Sequence, residues 1–248
     1  MAISAFGGTG KSTLALEYCH RLIEKDRDSI KIRWLNAATS YQLQADLENL
    51  AKKLNLDISN RKIDFIIRSI YSKLKELQLD ILLVFDNVES YNDIKDFIKD
   101  IMIPSNIKML ITTRDNLSNT KIDKIELEPF SLDETKDYMQ KNKDFKDEFN
   151  RENSNKIIDL SKSTDDDILP IKIELVVSYV NCYIDQKPID ELLNEIVNCK
   201  YLDMRIEATL FNNLRLENEL AFKLLRICGF LNPDFVDGRK CYSNYIKK

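Results

Sequence analysis

The feature that most constrains this chain is the run Ala-Phe-Gly-Gly-Thr-Gly-Lys-Ser-Thr at positions 5–13, which follows a short apolar start. Three of the five glycines in the 248 residues lie inside this run. Glycine permits backbone conformations and close approaches that a Cβ would obstruct, so that successive N–H groups can converge on one anion. The next residues, Leu-Ala-Leu-Glu-Tyr, are typical of a helix. The order predicts a strand, an anion-binding loop and a helix N-terminus that adds its own free N–H groups.

The run has the layout of the Walker A motif, with Ala5 where the strict form has its first glycine. In this layout Lys11 reaches the β and γ phosphates of a nucleotide, and the Ser12 hydroxyl is a ligand of Mg²⁺. We do not expect the single methyl group of Ala5 to disable the loop. The predicted nucleotide-binding residues lie in the loop and the first helical turn: Phe6, Gly7, Gly8, Thr9, Gly10, Lys11, Ser12 and Thr13. The alternative is a glycine-rich turn that binds nothing.

A second element is the apolar run Leu-Leu-Val-Phe at 82–85, which is followed directly by Asp86. Ligands bind at the carboxyl ends of strands in open α/β sheets, so Asp86 is predicted to support the same Mg²⁺ as Ser12. The alternative is that Asp86 caps the next turn or helix. Asn87 comes next, and an amide cannot serve as a general base, although Glu89 could substitute. ATP hydrolysis is therefore expected to be slow or to depend on assembly.

A third element is the apolar strand 109–112, which ends in threonines and then in Arg114. A guanidinium group is always charged and forked, so Arg114 at a strand end can detect the γ phosphate. The alternative is a surface arginine that pairs with Asp115. Lys11, Asp86 and Arg114 are thus the candidate catalytic residues, and Ser12 and Asp86 are the candidate metal ligands.

The pattern of apolar residues predicts an α/β fold with a mostly parallel five-stranded sheet. Short apolar runs alternate with helical stripes, and several runs are apolar at successive positions, which requires cover on both faces. The predicted strands are Met1–Ser4, Ile30–Leu35, Ile81–Phe85, Ile107–Thr112 and Ile122–Leu127. After Pro129 the pattern is helical, with helices expected over 132–142, 154–162, 168–184, 188–197, 206–216 and 217–230. The predicted domains are 1–128, 129–200 and 201–248.

Composition excludes several classes of function. The formal net charge is −4 and the sequence pI is near 5.3, because 37 basic residues are interleaved with 41 acidic ones. A nucleic-acid footprint needs clustered cations, so we expect no nucleic-acid partner. The longest clean apolar run, Ile81–Phe85, is too short for a membrane span, and the N-terminus has no secretion signal. The five cysteines show no metal-binding spacing, which favours a cytoplasmic location and argues against zinc.

Together these segments resemble the NB-ARC family of STAND-class P-loop NTPases, which are signal-transducing ATPases. Residues 6–15 resemble its G-M-G-G-V-G-K-T-T-L-A loop, and 110–114 its L-I-T-T-R sensor strand. The other similar segments follow in the family's order: 32–37, 82–88, 126–134, 168–175, and 220–231, which looks like the helix that opens a winged-helix subdomain in tetratricopeptide-linked members. Ile168 departs from the pattern, because the family usually has glycine there.

The resemblance implies a fold, ligands and partners. It implies a P-loop NTPase followed by a helical subdomain and the start of a winged-helix subdomain. It implies ADP and ATP as ligands with Mg²⁺, a Pro170 that faces the nucleotide, and homo-oligomerisation or protein partners on activation. The expected function is a nucleotide-switched signalling module with weak ATPase activity. The alternatives are a degenerate P-loop interaction domain, suggested by the short first strand, and a P-loop phosphotransferase, for which 130–200 offers no catalytic cluster.

Overall fold

The structure is a computed structural model and describes residues 1–25, 29–59, 62–77, 79–99, 104–115, 122–141, 151–162, 166–198, 215–216, 218–221 and 223. The chain divides into two compact units, Met1–Pro129 and Phe130–Lys248. In the described part of the chain, no helix combines the length and the apolar character that a membrane crossing requires.

The first unit is a parallel sheet with helices between its strands. The elements in chain order are β1 (Ala2–Ser4), α1 (Lys11–Lys25), β2 (Ile30–Asn36), α2 (Ser40–Lys53), α3 (Ile63–Glu76), β3 (Asp80–Val88), α4 (Tyr91–Lys99), β4 (Ile107–Thr113) and β5 (Lys124–Glu126). The strand order is β2-β3-β4-β1-β5, and all four neighbouring pairs are parallel. The predicted α/β fold class, with five parallel strands, is confirmed.

The central strand β3 shows why the sheet needs cover on both faces. Its alternate residues Ile81, Leu83 and Phe85 are buried in a larger core with residues of α2, α3 and α4. Leu82 and Val84 point the other way, into a smaller core with Ala15 and Cys19 of α1. Side chains alternate between the faces of a strand, so a run without polar residues is stable only between two layers of helix.

The helix α2 begins as its sequence suggests. Thr39 is its N-cap, and the Thr39 side chain accepts a hydrogen bond from the backbone N–H of Gln42. A short hydroxyl side chain at this position satisfies a donor that the first helical turn leaves without an intrahelical partner. This cap fixes the point at which the chain turns from β2 into the helix.

The second unit is helical. It contains α5 (Leu132–Lys141), α6 (Arg151–Leu160), α7 (Pro170–Tyr183) and α8 (Ile189–Val197), and each helix contributes to one apolar core. Pro170 is in the first turn of α7, where the N-cap Leu169 makes no side-chain hydrogen bond. Proline is well suited to this turn because its missing N–H would have had no intrahelical partner. The helices expected over 206–216 and 217–230 lie almost wholly outside the described residues.

Ile168 has a structural role in this unit. Its side chain is buried in the helical core, and its carbonyl accepts a hydrogen bond of 3.0 Å from the backbone N–H of Phe130. Isolated bridges connect Ile168 with both Phe130 and Lys162. The side chain at this position therefore contributes packing that glycine could not supply.

Candidate phosphate-binding site

The loop between β1 and α1 has the backbone geometry of an anion-binding site. Gly8 and Gly10 have φ angles of 81° and 92°, a region in which side chains with a Cβ are strained. The Gly10 carbonyl accepts from the N–H of Leu14 at 2.8 Å, which starts the hydrogen bonding of α1. Ala5 is not among the described non-glycine residues with positive φ, so its methyl group is compatible with this loop.

Two side chains brace the loop from within. The Thr9 hydroxyl donates to the Phe6 carbonyl at 2.9 Å. The Lys11 ammonium donates to the carbonyls of Ala5 and Phe6 at 3.1 and 2.7 Å. Ala5 thus participates through its backbone, which explains physically why this position tolerates a residue other than glycine.

The Lys11 ammonium group is buried and lies near a second cation. Its side chain is only 8% exposed, and burial lowers the pKa of the ammonium group below its usual value. The nearby charge of Arg114 lowers this pKa further, whereas the charge of Asp86 raises it. A buried cation with a second cation close by is stabilised by an added anion. The loop therefore presents positive charge that favours a polyanionic ligand.

Ser12 and Asp86 meet at this loop although they are far apart in sequence. The Ser12 hydroxyl donates to Oδ1 of Asp86 at 2.7 Å. A hydroxyl that donates its proton to a carboxylate keeps its oxygen lone pairs for a cation, and hydroxyl and carboxylate oxygens suit Mg²⁺. The two residues predicted as metal ligands are therefore adjacent. Across the described ranges, no cluster of three or more His, Cys, Asp or Glu is arranged to hold a metal ion.

A bulge in β3 positions Asp86. The register between β3 and β4 shifts between Phe85 and Val88, so Asp86 and Asn87 lie opposite Thr112 alone. Asn87 has a φ of 65°. The extra residue of a bulge leaves ladder hydrogen bonds unmade and re-aims side chains. The predicted strand ended at Phe85, whereas β3 continues to Val88, because the polar residues 86 and 87 belong to this bulge.

Thr112 completes the bulge and holds the carboxylate. Its hydroxyl oxygen accepts a hydrogen bond from the N–H of Asn87 at 2.8 Å and donates to Oδ1 of Asp86 at 2.5 Å. The side chain is fully buried. Sequence reasoning did not single out this residue. The available signal was a threonine that directly follows the apolar run 109–111 within the same strand, because a hydroxyl that is buried with such a run requires a hydrogen-bond partner.

Arg114 lies against the loop. Its guanidinium carbon is 3.5 Å from the position that a Cβ would occupy at Gly7. The alternative partner considered for it, Asp115, accepts a hydrogen bond from the backbone N–H of Tyr91 at 3.3 Å. The structure thus brings Lys11, Ser12, Asp86 and Arg114 together at one loop.

Three other residues that were predicted to bind the nucleotide are Phe6, Thr13 and Pro170. The Phe6 side chain is 76% exposed at the loop surface, and Thr13 is exposed in the first turn of α1. Pro170 belongs to the second unit, at the start of α7.

A comparison with protein families identifies the chain. The model of the NB-ARC domain matches residues 1–146, which is more than half of the chain. The chain belongs to the NB-ARC family. The resemblance that the sequence motifs predicted is confirmed, and membership in this family of P-loop NTPases implies nucleotide binding. A search of curated proteins gave no significant match.

Solved structures with a similar fold include a Cdc6 protein and two ORC proteins. Cdc6p from Pyrobaculum aerophilum has a TM-score of 0.54 at 16% identity, over 74% of this chain and 55% of that chain. The ORC2 protein of Aeropyrum pernix, in ADPNP and ADP complexes, has a TM-score of 0.54 at 11% identity, over 86% of this chain and 62% of that chain. The ORC1 protein of the same organism, in complex with DNA, has a TM-score of 0.53 at 10% identity, with coverages of 86% and 59%. The chain thus spans between 55 and 62% of these three structures, and the likeness concerns the fold.

Proposed function

We propose that this NB-ARC chain is an ADP/ATP-binding switch module whose ATP hydrolysis is slow or depends on assembly. The observation that carries the proposal is the convergence of Lys11, Ser12, Asp86 and Arg114 at the loop between β1 and α1. Lys11 and Ser12 begin α1, Asp86 lies near the end of β3, and Arg114 follows β4. The packing of the sheet does not require these four side chains to meet. A phosphate chain is the ligand that this combination of cations, N–H groups and hydroxyl suits best.

The residues have distinct roles in this proposal. Lys11 and the loop N–H groups bind the β and γ phosphates, and Arg114 senses the γ phosphate from the opposite side. Ser12 and Asp86 hold Mg²⁺, which when bound neutralises phosphate charge. Thr112 fixes the Asp86 carboxylate through its hydrogen bond. The site is therefore built mainly for binding and for distinguishing two phosphate chain lengths.

Asn87 supports the slow-hydrolysis part of the proposal. It follows Asp86 in the bulge, its side chain is exposed, and its amide cannot take a proton from water. Glu89, which could substitute as a base, is also exposed. An exposed carboxylate is not held in place for water activation, so we expect a partner or a second copy to complete the catalytic site.

The switch itself is proposed to involve the second unit. A ligand shifts a conformational equilibrium only through contacts that differ between the states. We propose that Arg114 on the sheet unit and Pro170 at the start of α7 provide these contacts, with ADP favouring a closed state and ATP an open, assembling one. The proposed organisation is a nucleotide-binding domain over 1–128, a helical subdomain over 129–200 and a winged-helix segment over 201–248.

The test is to measure ligand-induced stabilisation and turnover on one preparation. ADP and ATP with Mg²⁺ should each raise the Tm in proportion to the logarithm of ligand concentration. Turnover of the monomer should lie far below the typical enzyme value of roughly 10 per second. An unchanged Tm with both nucleotides would contradict nucleotide binding, and rapid turnover by a monomer would contradict the role assigned to Asn87.

The metal role of Asp86 has its own prediction. In Asp86→Ala the Mg²⁺ site loses its carboxylate, so nucleotide affinity should become nearly equal with Mg²⁺ and with a chelator, whereas the natural chain should bind about tenfold more tightly with Mg²⁺. Titration calorimetry under both conditions measures this difference. Asp80→Ala, at the exposed start of the same strand, is the control and should retain the full Mg²⁺ effect. An undiminished Mg²⁺ effect in Asp86→Ala would exclude Asp86 as a metal ligand.

A further inference from the structure

A groove of about 460 Å³ lies between β2 and α2 and includes no residue of the phosphate loop. Its lining combines the consecutive strand residues Arg33, Trp34 and Leu35 with residues of α2 that are polar except for Leu50 and that include Lys52 and Lys53. Successive side chains of a strand point to opposite faces of a sheet, so three neighbours can line one groove only along the edge of the strand. The groove therefore follows the backbone edge of β2.

This edge lies on the outer side of the sheet. β2 is the terminal strand and pairs with β3 through its inner side. The carbonyl of Ser29 and the N–H of Ala37 both bond to the chain of β3. In a parallel ladder the bonded residues alternate, so the odd-numbered positions face β3 and the even-numbered positions face outward. The backbone groups of Ile32, Trp34 and Asn36 thus face the groove side.

Two of these outward-facing backbone groups accept from or donate to a side chain. The N–H and the carbonyl of Trp34 lie between those two groups, and we call this pair the window. The N–H of Asn36 donates to the Asp46 carboxylate of α2 at 2.8 Å. The carbonyl of Ile32 accepts from the Arg33 guanidinium at 2.9 Å. Between them, the N–H and the carbonyl of Trp34 have no outward hydrogen bond to any residue that the structure describes. A donor and an acceptor on one residue form the pairing unit that an added strand uses.

The charge around the window is positive. Arg33, Lys52 and Lys53 line the groove, and none of them forms an ion pair with an acidic residue in the described part of the chain. The one lining carboxylate, Asp46, already accepts from Asn36. Three uncompensated cations on a chain with a net charge of −4 select an acidic partner.

We propose that the β2–α2 groove binds an extended acidic peptide segment of a partner protein, which adds to the edge of β2. One residue of this segment pairs with both backbone groups of Trp34, and its neighbouring carboxylates contact Arg33, Lys52 and Lys53. Strand addition supplies affinity through the backbone, and the cations supply specificity. The groove is independent of the nucleotide site, so the proposal does not depend on nucleotide binding.

A peptide fits the groove better than a single-stranded nucleic acid. Nucleic-acid grooves combine cations with aromatic rings on which bases stack. By alternation the Trp34 side chain lies on the face of β2 that carries Ile30 and Ile32, which pack in the smaller core, whereas Arg33 and Leu35 lie on the other face. Trp34, which is 38% exposed, is the one aromatic residue among the described lining residues, and one ring does not make the row of stacking surfaces that successive bases use. The open backbone N–H and carbonyl of Trp34 suit a peptide strand instead.

The experiment uses the full chain and a blocked, dye-labelled peptide of ten alternating Glu and Val residues. Fluorescence anisotropy should show saturable binding that weakens as salt rises, because the cations are exposed. Trp34 is the only tryptophan of the chain, so its intrinsic fluorescence should change with the same titration curve and locate the peptide at β2. The same peptide with proline in place of every valine should bind at least about tenfold more weakly, since proline cannot donate in a ladder.

The matched variants separate the groove from general charge. Lys52→Gln with Lys53→Gln, both exposed in the last turn of α2, should weaken binding by about tenfold. Lys73→Gln with Lys75→Gln removes two cations from the last turn of α3 and should leave the affinity unchanged. The proposal is overturned by the absence of saturable binding, by equal affinity of the proline peptide, by equal losses in the two double variants, or by tighter binding of a ten-nucleotide thymidine strand.

Discussion

Serine and threonine hydroxyls make different kinds of hydrogen bond in the two units of the chain. In the helical unit the buried ones bond within one helical turn: the Ser161 hydroxyl donates to the carbonyl of Ile157 at 2.7 Å, and the Thr135 hydroxyl donates to the carbonyl of Ser131 at 2.8 Å. In the sheet unit, Ser12 and Thr112 both donate to Asp86, across 74 and 26 residues of sequence.

This difference distinguishes hydroxyls that stabilise their own helix from hydroxyls that position a carboxylate of the proposed site. A hydroxyl that bonds one helical turn back stabilises or shapes its own helix. By contrast, the Ser12 hydroxyl of α1 and the Thr112 hydroxyl of β4 both donate to the Asp86 carboxylate and so hold it in a fixed position. The shared carboxylate, and not sequence separation alone, distinguishes the proposed nucleotide site, because the Tyr179 hydroxyl also reaches Glu195 across 16 residues within the helical unit. Substitutions in the two units should accordingly affect different quantities.

The largest expected effect is on nucleotide affinity in the sheet unit. Lys11→Ala removes the cation that we propose contacts the phosphates, so the Kd for ADP and ATP should rise by about a thousandfold. Titration calorimetry measures the change. Lys156→Ala, which breaks an exposed ion pair with Asp190 in the helical unit, is the control and should leave the Kd unchanged. Equal affinity of Lys11→Ala and the natural chain would contradict the phosphate-loop assignment.

The helical unit should respond in stability instead. Ile173 is fully buried in the core of α5 to α8, so Ile173→Ala should lower the free energy of unfolding by about 3 kcal/mol. Urea denaturation followed by circular dichroism measures this loss. Ile171→Ala in the same helix, where the side chain is 51% exposed, should cost much less. Similar losses in the two variants would show that the helical core is packed differently.

Substitution of Thr112 should change both the stability of the chain and its affinity for nucleotide. Thr112→Val keeps the shape but leaves the N–H of Asn87 and the Asp86 carboxylate without its hydroxyl, so unfolding free energy should fall by about 1–3 kcal/mol. The Mg²⁺-dependent part of nucleotide affinity should fall as well. Thr112→Ser retains the hydroxyl and should keep most of the Mg²⁺ effect. Thr112→Val with the full Mg²⁺ effect would reduce Thr112 to a structural residue.

The smallest expected effect concerns the loop backbone. Gly10→Ala places a Cβ on a backbone with φ of 92° and should lower the free energy of unfolding by about 1–2 kcal/mol, although the space around it is open. In Gly7→Ala the new Cβ meets Arg114 at an ordinary contact distance of 3.5 Å, so the loss should be smaller. Chemical denaturation without nucleotide compares the two. The reverse order would mean that space, not backbone strain, requires glycine in this loop.

The sequence predicted most of the sheet unit because its elements carry strong local signals. The apolar run 81–85 forms a central strand, and Thr39, a residue type that favours helix N-caps, starts α2. The bulge at Asp86 and Asn87 was not predictable, since polar residues ordinarily end a strand and only the partner Thr112 shows why β3 continues. The groove at β2 could not be predicted from the sequence either. Apolar periodicity identifies strands, but it does not show which strand is terminal in the sheet.

Ile168 illustrates the same limit in the helical unit. The family resemblance suggested a departure at this position, where glycine is usual. The structure shows a long-range bridge to Phe130 and a buried side chain, which no local pattern predicts. The roles of the predicted site residues toward a nucleotide stay predictions, because they concern a ligand and not the chain's own contacts.

The most direct test of the nucleotide switch is to denature the purified chain and identify by chromatography any nucleotide that it releases. Release of ADP in near-stoichiometric amount from the natural chain, and its loss in Lys11→Ala, is the result that we expect. A natural chain that releases no nucleotide and gains no thermal stability from ADP or ATP with Mg²⁺ would contradict the proposed function and leave a P-loop domain that acts by interaction only.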